Sequence, residues 1–207
     1  MSLGFSKTDI LFVQRILAVA GFYAGPLNAK WNKDLDKAEE KFDVRFEKIK
    51  VAEGAVDPRS EKNISTMIPK TQVMARRALK AVAGFKYNCK IISGTRTYAE
   101  QNALYAIGRS VKGKKVTNAR GGQSNHNFCI AWDVGLFSKA TGNYLTGATA
   151  AEAKAYRDMA AIVKSKVPGL EWGGDWKSFK DQPHYQVATG MSLSQVRALF
   201  ERGKPFV

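Results

Sequence analysis

The sequence predicts an α+β fold in which a small N-terminal helical domain precedes a larger domain of strands and helices. Three observations carry this. Apolar residues recur at helical spacing through the opening segment. Beyond it, strand-like apolar runs and amphipathic helices alternate without a regular βαβ rhythm, which disfavours a doubly wound sheet. The chain has 207 residues, 44% hydrophobic and 25% charged, enough for one ordinary domain with a real core and a small second one. The expected division is 1–58 and 59–207.

In the first domain, residues 9–20 place apolar side chains on one helical face, with Thr8 or Asp9 as the expected cap. Gly21 reads as the helix stop and Gly25-Pro26 as a turn. A second helix is expected to begin near Asn32 and run through Leu35, Ala38 and Phe42. Residues 53–65, with their Gly, Pro and polar content, read as a linker or domain edge. Then come a helix over 69–83 ending at Gly84, a strand over 87–92 broken by Ser93-Gly94, and a helix over 97–107. Residues 109–120 hold five basic groups and no acid and read as an exposed loop. A strand over 128–137, a helix over 152–166 and a shorter helix over 192–201 capped by Ser192 complete the reading. No internal repeat is visible.

The net charge of +15 is unevenly placed: residues 1–58 carry 9 basic and 9 acidic groups, and the remainder carries 24 and 9. A basic surface favours nucleic acid, anionic lipid or the anionic polymers of a bacterial envelope, and charge alone does not choose among them. Cys89 and Cys129 are too few for a disulfide scaffold and read as free thiols. No run approaches the roughly 20 apolar residues that span a bilayer. Residues 1–9 lack a basic flank followed by an apolar run, so no secretory leader is expected, and the protein is expected to start in a cytoplasm.

Only two histidines occur, His126 and His184, each in a Gly-, Pro-, Asn- or Gln-rich segment with carboxylates close by. In a strand through Asp133, that carboxylate alternates with Ile130 and Trp132 and lies on a small, apolar face, which is costly unless a cation or donors satisfy it. Zinc hydrolases typically use three His and Asp/Glu ligands and keep a fourth position for water. His126, Asp133 and His184 meet that need, although the same donors suit manganese, iron or cobalt. A further carboxylate must act as general base: Asp181 is nearest upstream of His184, with Asp175 and Glu171 as alternates. Gly173-Gly174-Asp175-Trp176 is either a tight turn with a packed tryptophan or a wall of a substrate groove.

Ser124-x-His126-x-x-Cys129-x-Ala131-x-Asp133 resembles the Ser-x-His-x-x-Gly-x-Ala-x-Asp motif of the VanY-like, D-alanyl-D-alanine carboxypeptidase group of zinc peptidases. That group includes phage endolysins that cut between L-alanine and D-glutamate in peptidoglycan. Ser93-Gly94-Thr95-Arg96-Thr97 is similar to the group's Ser-Gly-x-Arg-Thr/Ser segment, and the matches run from about 70 to 187. The resemblance implies a mainly antiparallel sheet flanked by helices and zinc on His126, Asp133 and His184. It also implies Asp181 as the catalytic carboxylate and Arg96 polarising the scissile carbonyl, with Gln123 and Ser124 as substrate contacts. Cys129 stands where the group has glycine. As a fourth zinc ligand Cys129 would close the site and argue against catalysis.

Val13-Gln14-Arg15-Ile16-Leu17, then residues 21–27, Trp31, Ala38 and Phe42 resemble the small three-helix peptidoglycan-binding domain of cell-wall hydrolases. That family usually has a glycine where Asn28-Ala29 stand. The alternative is a helical hairpin that only packs against its neighbour. Together the resemblances imply a bacteriolytic, antimicrobial endolysin: a monomer with peptidoglycan as partner, no nucleic acid and no stable membrane insertion. It would be made in a host cytoplasm and reach the wall through a separate membrane-permeabilising protein. The competing activities are D-alanyl-D-alanine carboxypeptidase and, from another class, a non-catalytic basic protein that binds wall or nucleic acid.

Overall fold

The computed structural model describes residues 6–207; residues 1–5, part of the segment read for a leader, lie outside the described residues. It is a mixed fold of helices and a mainly antiparallel open sheet, as expected. Two compact units are formed. Among the described residues, one takes in 6–47 with Thr95–Cys129 and Thr189–Val207, the other Lys48–Gly94 and Ile130–Ala188.

In the first unit, helix α1 (Lys7–Val19) is capped by Ser6 rather than by Thr8 or Asp9. Asp9 is the reciprocal partner: its N–H donates to the Ser6 hydroxyl at 3.2 Å, and its carboxylate accepts the Ser6 N–H at 3.1 Å. Helix α2 (Lys33–Glu53), of which residues 33–47 belong to this unit and 48–53 to the other, starts where expected, with the Asn32 side chain accepting the Leu35 N–H at 2.9 Å. Ile10, Leu17, Tyr23, Leu35 and Ala38 form a buried cluster, and Phe22, Trp31 and Phe42 pack against it. The fully buried Gln14 braces the intervening loop, donating to the Lys30 carbonyl at 2.9 Å and accepting the Ala29 N–H at 3.0 Å. Ala29 has φ 57°, and the other non-glycine residue with positive φ among those described is Cys129, at 62°. Cys129 stands where the resembled peptidases carry glycine, and Ala29 belongs to the Asn28-Ala29 pair where the resembled binding domain usually has one, so both departures include left-handed backbone that disfavours a Cβ.

Helix α5 (Tyr98–Ala106) is capped by Thr97 and helix α7 (Leu193–Glu201) by Ser192, each through a capping box. Phe200 on α7 packs on Phe12 and Phe128, with ring centroids 5.7 and 5.3 Å apart. Residues 109–120 form no helix or strand, apart from one bridge between Ile107 and Val111.

The second unit holds strands β1 (Tyr87–Ser93), β2 (Ala131–Ser138), β3 (Tyr144–Leu145), β4 (Leu170–Trp172) and β5 (His184–Val187). Their order is β1-β2-β5-β4, with β3 also on β2, and every pairing is antiparallel. Helices α3 (Pro58–Ile64), α4 (Pro69–Ala81) and α6 (Ala150–Lys166) complete the unit, with α3 against β1 and α4 against α6. Two expectations change here. The stretch read as a linker contains α3, because Pro58 occupies the first helical position and Asp57 caps it, so the apparent breaker is a start signal. Strand β2 begins at Ala131 rather than at 128: Asn125–Phe128 form a 3₁₀ turn that left-handed Cys129 ends. No helix among the described residues is long and apolar enough to cross a membrane.

Ala29→Gly should raise stability by about 0.5–1 kcal/mol, the relief of left-handed strain exceeding the added freedom of the unfolded chain; denaturant melts measure it. Arg76, 1% exposed, meets Glu61 through two hydrogen bonds of 2.7 Å. Burial pushes the Glu61 carboxyl up, but Arg76 and the Val56 N–H outweigh it and hold it below the ordinary 4.5. The pair's contribution is therefore complete above the unfolded value of about 4.3 and is lost as pH falls through the lower folded value. Glu61→Gln should cost about 3–5 kcal/mol at neutral pH, by removing the counter-charge of a buried guanidinium, and should flatten the acid limb of stability against pH.

Candidate metal centre

The register of three strands sorts side chains to the two faces of the sheet. Between β2 and β5, Asp133 lies opposite His184, Trp132 opposite Tyr185 and Ala131 opposite Gln186. Between β5 and β4, Tyr185 lies opposite Trp172 and Gln186 opposite Glu171. Alternation therefore sends Trp132, Tyr185 and Trp172 to one face, where all are buried and the first two stack with centroids 6.0 Å apart. Asp133, His184, Gln186 and Glu171 share the other.

On that face His184 Nδ1 is 3.4 Å from Asp133 Oδ1, and Nε2 is 3.0 Å from Gln186 Oε1. The Gln186 amide in turn donates to Glu171 at 2.7 Å. Burial alone would lower the His184 pKa; the Asp133 carboxylate outweighs it, and with Gln186 and Asp181 it holds the imidazole above its ordinary 6.5.

The approach to β5 is a turn in which the His184 N–H donates to the Asp181 carbonyl at 3.2 Å and the Asp181 N–H to the Gly173 carbonyl at 3.0 Å. A Cβ on Gly173 would come within 2.5 Å of the Asp181 carbonyl oxygen and 3.0 Å of His184 Cβ, so only glycine fits. Residues 173–176 are thus a tight turn packed on the site, with the Trp176 ring 4.9 Å from the His184 ring. Each alternate base has a partner of its own, Asp175 in Lys164 and Glu171 in Gln186.

His126, 1% exposed, lies on the 3₁₀ turn. Its carbonyl accepts the Arg96 N–H at 3.1 Å. The neighbouring Asn127, fully buried, donates to the carbonyls of Arg96 (2.8 Å) and Thr97 (3.3 Å) and accepts the Gly122 N–H at 2.9 Å. The turn that carries His126 and the backbone of Arg96 are therefore held as one piece. A bulge in β1 between Ile91 and Ser93 brings Ser93 opposite Asp133, and Gly94 passes so close to the Asn63 carbonyl that a Cβ would lie 2.5 Å from it.

One ligand atom from each of His126, Asp133 and His184 lies within 4.8 Å of the others. Cys129 is outside this group; it is fully buried, and burial pushes its thiol up to about 12 against a hydrogen bond from Thr95. Ser124 is half-buried at the cap of the 3₁₀ turn without a side-chain capping bond. Gln123 is exposed and accepts the Arg120 N–H at 3.1 Å. Sequence reasoning missed Asn127 and Gln186. The second carried a signal, since two residues beyond His184 in a strand lies the same face; a buried asparagine in a loop carries none.

Two imidazoles and a carboxylate are the donor set of hydrolytic zinc sites, and the class that fold and site define is a metallopeptidase. Comparison with known proteins gives the family. The model described as D-alanyl-D-alanine carboxypeptidase matches residues 117–187, which hold all three residues of the triad and Asp181. The peptidoglycan L-alanyl-D-glutamate endopeptidase CwlK of Bacillus subtilis (strain 168) is 41% identical over 112 residues, 53% of this chain and 67% of that relative. The crystal structure of the Serratia marcescens L-Ala D-Glu endopeptidase ChiX is 25% identical with a TM-score of 0.46, covering 64% of this chain and 88% of that one. The chain belongs to this family of cell-wall peptidases.

Asn127→Ala should destabilise the protein by about 2–4 kcal/mol, because three backbone groups lose their buried partner. Activity on peptidoglycan should fall even at temperatures where the variant is folded; thermal melts beside wall-clearing assays check both.

Proposed function

We propose that this protein is a zinc-dependent endopeptidase that hydrolyses the L-alanyl-D-glutamate bond of peptidoglycan stem peptides. The observation that carries the reading is the triad of His126, Asp133 and His184 inside the matched segment, together with the activity named for the 41% identical relative. In this reading the three side chains hold zinc, which when bound supplies Lewis acidity and lowers the pKa of water. Asp181 accepts the proton of the attacking water as its oxygen bonds to the scissile carbonyl carbon. It returns that proton to the leaving amine as the C–N bond breaks. Arg96 donates to the carbonyl oxygen as negative charge develops there, a role its planar, permanently charged donors suit. Ser124 and Gln123, on the segment leading to His126, contact the stem peptide.

We further propose that residues 1–58 act as a wall-binding module, a reading that rests on the resemblance of that segment to peptidoglycan-binding domains; the apolar cluster of Ile10, Leu17, Tyr23, Leu35 and Ala38 is drawn entirely from it. A wall-binding segment joined to a wall peptidase suits a lytic enzyme, as in phage endolysins that act as monomers after release from a host cytoplasm.

Purified peptidoglycan should lose turbidity with the native protein. Clearing should drop by more than about 100-fold in His126→Ala, a loss at least as large as that from removing an outer-shell partner of a metal. Chelator should abolish clearing and added zinc restore it. Products carrying a new N-terminal D-glutamate establish the endopeptidase, whereas free D-alanine establishes a carboxypeptidase. Equal clearing by all samples would remove the metal centre from the mechanism.

A further inference from the structure

The two residues that follow His184 outward along the sheet, Gln186 and Glu171, have no part in the reaction described above, yet they form a directed chain that ends on a member of the triad. Glu171, opposite Gln186 in the register, receives the Gln186 Nε2 amide at 2.7 Å. An ionised carboxylate accepts hydrogen bonds and donates none, so this contact fixes which end of the Gln186 amide faces outward. The carbonyl end, Oε1, must then face inward, where it lies 3.0 Å from His184 Nε2. An acceptor facing Nε2 requires that nitrogen to carry hydrogen. In the neutral ring the lone pair is then on Nδ1, the nitrogen that lies 3.4 Å from the Asp133 carboxylate within the triad.

We infer that Gln186, oriented by Glu171, is a positioning residue that selects the tautomer of His184 and so presents Nδ1 as its metal-binding atom. This rests on the proposal that the triad holds zinc. Two further observations hold this contact in place. His184 is 5% exposed, so water cannot freely replace a lost partner at Nε2, and β5 fixes both side chains on one face two residues apart. Hydrogen-bond partners of metal-ligating histidines generally act this way, setting ring orientation and raising ligand basicity.

The test reads metal affinity directly, in the full chain stripped of metal and titrated with zinc against a chromophoric chelator. Gln186→Leu keeps the volume and removes the acceptor, and should weaken zinc binding by about 10–100-fold. Gln186→Glu keeps an acceptor toward Nε2 and should stay within about threefold of native, even though it sets a second carboxylate against Glu171. Glu171→Ala frees the amide to turn and should fall between the two. The visible spectrum of the cobalt-loaded protein, which reports the donor atoms, should change for Gln186→Leu and be restored in Gln186→Glu. Thermal melts of the metal-free variants show whether each is folded, and the comparison uses folded variants. Native-like zinc affinity and an unchanged cobalt spectrum in Gln186→Leu overturn the inference while leaving the metal centre standing. A native protein that binds no zinc overturns the metal centre itself, and the inference with it.

Discussion

The antiparallel register of β2, β5 and β4 is the constraint on which the rest depends. It pairs Asp133 with His184 and Gln186 with Glu171 on one face, and stacks Trp132 on Tyr185 on the other. A slip of one residue would exchange the faces, burying a carboxylate and an imidazole among aromatics and exposing the core. Burial of Trp132, Tyr185 and Trp172 therefore does two things at once. It removes large apolar surfaces from water, and it fixes the relative position of two candidate ligands that are 51 residues apart in the chain.

The third member of the triad depends on a different kind of force. His126 lies on a short turn, and short 3₁₀ segments have little stability of their own. Hydrogen bonding supplies the rigidity: Asn127 satisfies two carbonyls and one N–H from its buried position, and the His126 carbonyl accepts the Arg96 N–H. Buried networks of this type specify one arrangement when every member is satisfied. The cost is visible beside it, where Cys129 takes left-handed backbone, and again at Ala29, where Gln14 braces the same kind of strain.

Helix boundaries were largely legible because their signals are local. Ser192 and Thr97 cap where side-chain chemistry predicts, and Pro69 opens α4. Where local signals conflict, they mislead: Asp9 is a good cap but Ser6 is better placed, and Pro58 punctuates a linker as readily as it begins a helix. The start of β2 was missed because Phe128, Cys129 and Ile130 are apolar in either conformation, and apolarity alone does not separate a strand from a buried turn.

By itself the sequence determined the α+β class, most of the elements, and His126, Asp133 and His184 as the group to watch, because two histidines and a strand-bound carboxylate are chemically conspicuous. It also carried the alternation that keeps Asp133 away from Trp132. Tertiary structure alone decided that these three converge, that Asp175 pairs with Lys164, and that Gln186 stands between His184 and Glu171. The reason is physical: period and capping act over a few residues and are written in neighbouring side chains. Register and convergence are settled by which surfaces bury together across the whole chain, and no short window of sequence contains that information.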